Sequence, residues 1–247
     1  MGALIEMRDL SFSWPEGRPV FSGLNASIQA GERICLMGRN GSGKSTLFRL
    51  LLGLLEPSAG TLFYRAEAYQ YRKQWLRNLR QAIGFVFQDP EEQIFAPTVL
   101  QEISFGPHNL GLPREEVERR VMTAARQMCL LEMLERPTHL LSFGEKKRVS
   151  IAAILVMQPE ILLLDEPTAW LDPENQAEIT RLLLELNREG TTLIVSSHQL
   201  DWAADFAERA LLLGQGGLAY DGPMAEALAQ PTLLEELGLL ISERNRK

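Results

Sequence analysis

Nine residues carry the clearest chemistry in the chain: Gly38-Arg39-Asn40-Gly41-Ser42-Gly43-Lys44-Ser45-Thr46. Three glycines interleaved with small polar residues let successive backbone N–H groups turn to one side and wrap an anion, and a helix starting at Lys44 adds favourable partial charge. The pattern is that of a phosphate-binding P-loop. In such a loop Lys44 reaches the β- and γ-phosphates of a nucleotide, and the Ser45 hydroxyl ligates Mg²⁺. A second piece of chemistry lies far downstream. Asp165-Glu166 follows four aliphatic residues, Ile161 to Leu164, so two adjacent carboxylates end an apolar run. Asp165 is placed to hold Mg²⁺, directly or through water, and Glu166 to polarise an attacking water as general base.

Each piece has a plainer reading. A glycine-rich turn also caps helices, and two carboxylates also make a solvated acidic turn. The flanking elements decide between them. Arg33 to Met37 reads as a strand and Lys44 to Leu52 as a helix, the context a P-loop needs. Ile161 to Leu164 reads as a strand buried on both faces, as in a parallel sheet. Asp172-Pro173 supplies an N-cap and first-turn proline, Ile179, Leu182, Leu183 and Leu186 form an inner helical face, and Gly190 ends that helix. Further strands are expected at Leu4 to Trp14, Leu24 to Ile28, Gly60 to Tyr64, Ile83 to Phe87, Thr191 to Ser196 and Ala210 to Leu213, with a helix near Gln199 to Glu208. Between 96 and 157 the chain becomes mainly helical, with Val117, Val121, Ala124 and Met128 at helical spacing. The alternation predicts a layered α/β fold with a helical insertion. The expected division is an ATP-binding core over 1–95 and 158–230, a helical subdomain over 96–157, and a tail over 231–247. P-loop kinases share the first two motifs, so these alone define only a nucleoside-triphosphatase.

Leu141-Ser142-Phe143-Gly144-Glu145-Lys146-Lys147-Arg148 narrows the class. It resembles the signature motif of ATP-binding cassette proteins, usually Leu-Ser-Gly-Gly-Gln. Gln88 in Val-Phe-Gln-Asp-Pro is similar to that family's Q-loop glutamine, Trp170-Leu171-Asp172 to its D-loop, and His198 to its switch histidine. The resemblance implies that Gln88 links Mg²⁺ and water to a membrane partner, that His198 senses the γ-phosphate, and that Trp14 stacks on adenine. For the fold it implies a P-loop core with a mainly parallel sheet, an N-terminal antiparallel β-subdomain and an α-helical subdomain. It further implies that Ser142, Gly144 and Glu145 meet the γ-phosphate of ATP held by a second protomer. Ser142 and Glu145 also spell a capping box, and a capped helix N-terminus is compatible with an anion site. With one P-loop and one signature, the chain is expected to pair with itself or with a related ATPase subunit, ATP acting as glue and hydrolysis releasing the pair.

Two residues depart from the family pattern: Phe143 stands at the first signature glycine and Glu145 at the glutamine. The carboxylate is expected to weaken ATP-driven closure unless Lys146, Lys147 or Arg148 offsets it. Phe87-Gln-Asp-Pro-Glu-Glu-Gln-Ile-Phe95 resembles the Q-loop of energy-coupling-factor ATPases, and the Phe143 form of the signature looks most like the cobalt and nickel members. The segment from Tyr71 to Gln81 is taken as their longer loop. The resemblance implies a transmembrane coupling subunit and a separate substrate-binding membrane subunit as partners. A non-transport cassette ATPase acting on DNA or ribosomes is the alternative.

Composition bounds the rest. The formal charge of −7 disfavours broad contact with nucleic acid, and 45% hydrophobic residues suit a packed globular chain. No apolar run is long enough to span a bilayer, and the N-terminus lacks a basic start followed by an apolar run. A cytoplasmic protein, peripheral on the membrane's inner face through partners, is expected. Cys35 and Cys129 show no pairing or metal spacing and are expected to be buried, inert thiols.

Overall fold

The computed structural model describes residues 2–15, 17 and 19–240. In chain order the elements are β1 (Ile5–Ser13), β2 (Pro19–Ile28), β3 (Arg33–Met37), α1 (Lys44–Leu51), β4 (Ala59–Tyr64), β5 (Glu67–Ala68), α2 (Lys73–Ala82), β6 (Ile83–Val86), α3 (Val99–Asn109) and α4 (Arg114–Gln127). They continue with α5 (Phe143–Leu155), β7 (Ile161–Asp165), α6 (Pro173–Arg188), β8 (Thr192–Ser196), α7 (Leu200–Phe206), β9 (Arg209–Gly214), β10 (Gly217–Pro223), α8 (Met224–Leu228) and α9 (Pro231–Glu236). The expected tail is helical over α9, and its residues 241–247 lie outside the described residues.

The chain forms two compact units, one of Met1–Arg80 with Thr192–Lys247, the other of Gln81–Thr191. In the first, the antiparallel sheet β2-β1-β4-β5 is the expected N-terminal β-subdomain. A second group of strands centres on β3, which pairs parallel with both β8 and β9, while β10 returns antiparallel along β9. Flanked on both edges, β3 carries four fully buried residues in succession, Ile34, Cys35, Leu36 and Met37. That arrangement fixes the strand end from which the glycine loop departs into α1.

In the second unit β6 and β7 pair in parallel, and all four aliphatics of Ile161–Leu164 are fully buried. Helix α4 turns Val117, Val121, Ala124 and Ala125 inward, and Met128 at its C-cap is buried too. Helix α6 buries Ile179, Leu182, Leu183 and Leu186, with Asp172 accepting from the Asn175 N–H over 2.9 Å as the N-cap. Among the described residues no helix is long and apolar enough to cross a membrane.

Two expectations are corrected. The segment taken as a long loop contains α2, a polar helix that buries only Leu79 and whose Arg80 guanidinium donates to the carbonyls of Leu52 and Gly53 just beyond α1. Its apolar residues are too few to mark a helix by periodicity. Cys129 is exposed rather than buried. It adopts φ +54° just past α4, where the N–H of Leu130 reaches back to the Ala125 carbonyl (2.7 Å), closing the helix end, and Leu130 takes the core position.

Candidate nucleotide site

Within the first unit, the loop between β3 and α1 is built for an anion. Gly43, the N-cap of α1, has φ +104°, and a Cβ there would run into the Phe21 ring and Val20, so no other residue fits. The Ser42 N–H donates to the Arg39 carbonyl (3.0 Å) and Lys44 Nζ donates to the Gly38 carbonyl (2.6 Å). Ser42 Oγ is buried with no protein hydrogen-bond partner. A buried hydroxyl ordinarily has one, and a phosphate oxygen beside the loop would supply it. Arg39, Asn40, Gly41 and Ser45 are exposed along the loop and Thr46 is buried at the start of α1. Trp14 follows β1 and packs edge-on against Phe12, ring centroids 5.2 Å apart. His198 sits on the exposed loop after β8, where Ser197 Oγ accepts the Gln199 N–H over 3.1 Å.

The second unit carries the carboxylates, Gln88 and the Ser142 segment. Asp165 ends β7, and the next residue, Glu166, is buried with φ +45°. A left-handed backbone is costly for a glutamate and gathers at functional sites, which fits Glu166 as a residue held in place for chemistry. Gln88 lies on the loop after β6, where Asp89 accepts the Glu91 N–H (2.8 Å) and starts a short 3₁₀ turn over Pro90–Glu92. Buried Glu102 of α3 accepts the N–H groups of Phe95 and Ala96, at 3.0 and 2.7 Å, which fixes the far end of that loop.

Ser142 is the N-cap of α5 with a complete capping box: its hydroxyl accepts the Glu145 N–H (3.3 Å), and Glu145 Oε2 accepts the Ser142 N–H (2.7 Å). Gly144 is buried against α6, and a Cβ there would collide with the Asn175 amide. Phe143 lies edge-on to Trp170, ring centroids 5.9 Å apart.

The model of the ABC transporter family matches residues 21–169, a span that includes the glycine loop, Gln88, the α5 start and Asp165-Glu166. The chain belongs to the ABC transporter ATPase family. An energy-coupling factor transporter ATP-binding protein, EcfA, from Methanothermobacter thermautotrophicus is 47% identical over 236 residues, 96% of this chain and 76% of the relative. The corresponding EcfA of Methanococcus maripaludis is 42% identical across 96% of this chain and 85% of its own length. Among solved structures, cbiO1 from Clostridium perfringens, part of the ABC transporter complex cbiONQ, superposes with TM-score 0.89 at 36% identity, covering 98% of this chain and 96% of that one. A bacterial Atm1-family ABC exporter with ATP bound superposes with TM-score 0.80 at 29% identity, covering 98% of this chain and 42% of the exporter. This ABC protein is therefore the ATP-binding, ATP-hydrolysing subunit of an energy-coupling-factor type transporter, with the α/β fold expected from its sequence.

In this ABC subunit the cation that offsets Glu145 is none of the three expected. Lys146 pairs with Glu91 (2.6 Å), Arg148 with Glu178 (2.6 Å), and Lys147 points to backbone carbonyls. The partner is Arg136, whose Nη1 donates to Glu145 Oε1 over 2.7 Å. Burial on its own would raise the Glu145 pKa, but the Ser142 N–H and the Arg136 guanidinium outweigh it and hold the carboxyl below its usual range. Lys147 is fully buried, and burial pulls its ammonium down to about 8 against the favourable charges of Asp89, Asp165 and Glu166. The sequence carried a signal for it: Gly144, Lys147, Ile151 and Leu155 follow helical spacing on the buried face of α5. Arg136, in an irregular stretch, had none.

Proposed function

We propose that two copies of this chain close around two ATP molecules and drive uptake of a divalent cobalt- or nickel-class cation through a membrane complex. Each ATP lies between the Gly38–Thr46 loop of one copy and Ser142, Gly144 and Glu145 of the other. Two copies of this chain make two competent sites, because P-loop, Glu166 and signature are all retained in one sequence. The buried, unpartnered Ser42 hydroxyl supports phosphate in the loop.

Lys44 draws charge from the β- and γ-phosphates, Trp14 stacks on the base, and His198 contacts the γ-phosphate. Glu166 accepts the proton of the attacking water while Gln88 orients that water. Ser45, Asp165 and Gln88 each offer an oxygen donor of the kind Mg²⁺ takes; these are the residues that would hold the ion, which would supply charge neutralisation at the phosphate oxygens. Loss of the γ-phosphate removes the glue between copies, and their parting is the mechanical step.

The observation that carries the transport reading is full-length similarity to cbiO1, which covers 96% of a chain from a transporter complex. An exposed aromatic cluster adds a docking surface for an apolar partner: Phe95 is 63% and Phe105 46% exposed, their rings edge-on at 4.6 Å. The test is uptake of labelled Co²⁺ or Ni²⁺ into cells or vesicles carrying the chain with membrane subunits encoded beside it. Accumulation that depends on Glu166 supports the reading. ATP-dependent efflux, or ATPase activity stimulated by DNA or ribosomes and indifferent to membranes, contradicts it.

A further inference from the structure

A buried cation on α5 grips the backbone of the Gln88 loop. Lys147 Nζ donates to the carbonyl oxygens of Gln88 (2.6 Å) and Phe87 (3.1 Å) from a fully buried position. Two more contacts join the same pair of segments. Gln93 Nε2 donates to the Ser150 carbonyl (2.6 Å) while its Oε1 accepts the Phe87 N–H (3.2 Å), and Lys146 meets Glu91 over 2.6 Å. The helix is braced beneath the lysine by Ser150 Oγ, which donates to the Lys147 carbonyl over 2.8 Å.

Stability does not account for Lys147. Desolvation of the buried Lys147 ammonium outweighs the attraction of Asp89, Asp165 and Glu166, and well-packed apolar replacements of buried charges are often neutral or stabilising. What the ammonium supplies is direction. Charge-assisted bonds to a carbonyl fix that peptide plane, and the plane of Gln88 sets where its side chain starts. The same helix begins at Ser142, so the residue that holds Gln88 moves with the signature.

We infer that Lys147 is a positioning residue: by holding the Gln88 carbonyl it sets where the Gln88 amide points and ties that amide to the signature helix. The inference rests on the reading of Gln88 as the group that orients water and Mg²⁺. It is distinct from a general packing role, because it acts through one named side chain.

The test is a double-mutant cycle on the full chain, measuring ATP hydrolysis, ATP binding with a fluorescent nucleotide, and the Mg²⁺ concentration for half-maximal rate. Lys147→Met should melt within a few degrees of the parent, bind ATP with less than about a twofold change, and lose about tenfold in kcat with a raised Mg²⁺ requirement, as expected when the charge-assisted bonds to the Gln88 and Phe87 carbonyls are lost. Added to Gln88→Ala, it should cost nothing further, because the group it positions is gone. Lys147→Gln, which keeps N–H donors, should fall between parent and Met variant, and it carries the same cycle if the Met variant does not fold. Losses that multiply in the double variant, or a parental kcat in Lys147→Met, would overturn the inference. A parent chain that shows no Mg²⁺-dependent hydrolysis at all would instead sink the functional reading, and the inference with it.

Discussion

Arg136 and Glu145 are joined across nine residues of sequence by a 2.7 Å ion pair, and the second carboxylate oxygen of Glu145 accepts the Ser142 N–H at the same distance. The pair neutralises the one acidic residue of the signature while the capping box holds it against its own helix end. Removing the cation should therefore hurt the anion site more than removing the anion. Arg136→Ala is expected to weaken ATP-dependent dimerisation about tenfold, in line with an uncompensated partly buried charge. Glu145→Gln should tighten it, and the double variant should return to near the parent. Light scattering against ATP concentration reads all three. Weaker dimerisation in Glu145→Gln would contradict this account.

The same pair sets a pH dependence. The folded-state pKa of Glu145 lies below the ordinary 4.5, so its contribution to stability is complete above about pH 4.5 and is lost as pH falls through the depressed value. Thermal melts of the parent and Glu145→Gln should thus differ by a constant amount at neutral pH and converge under acid. A difference that widened on acidification would mean the carboxylate is not stabilised by its partners.

Gly144 has no room for a side chain. A methyl there meets the Asn175 amide, so Gly144→Ala should destabilise the protein by about 1–3 kcal/mol, the usual cost of overpacking. Chemical denaturation checks this. Adding Asn175→Gly should recover most of the loss, whereas an unrescued double variant would place the strain elsewhere.

Much of this geometry was legible in the sequence, for identifiable reasons. Dense apolar patterns placed β3, β7 and the inner face of α6, and Asp172-Pro173 fixed where α6 begins. The glycine loop was readable because few residue types satisfy its backbone. What was hidden depends on neighbours remote in sequence. The helix at Lys73–Ala82 buries a single residue, so its pattern is nearly all polar. Cys129 sat beside a helical stripe but falls on the left-handed closing turn, and Leu130 fills the core instead. The helical spacing of Lys147 with Gly144, Ile151 and Leu155 marks it as inward-facing, but its grip on Gln88 joins residues far apart in sequence and shows only in the folded chain.

The exposed aromatic pair separates coupling from catalysis. Phe105→Asp together with Phe95→Asp should leave the isolated chain's ATPase rate within about twofold of the parent, because surface substitutions away from a site change little. Recovery with membranes carrying the partner subunits should fall at least severalfold, as measured by co-sedimentation. Full recovery would remove this surface from the docking face.

Glu166 offers the most direct test of the central claim that one ATP is shared by two copies of this chain. Glu166→Gln should bind ATP normally and slow hydrolysis by about 10²–10⁴-fold, the range for a lost general base. Sedimentation velocity of that variant should show monomer without nucleotide and a stable dimer with Mg²⁺ and ATP, abolished by adding Lys44→Ala. A variant that stays monomeric at saturating ATP, or one that hydrolyses ATP at the parental rate, would contradict the account.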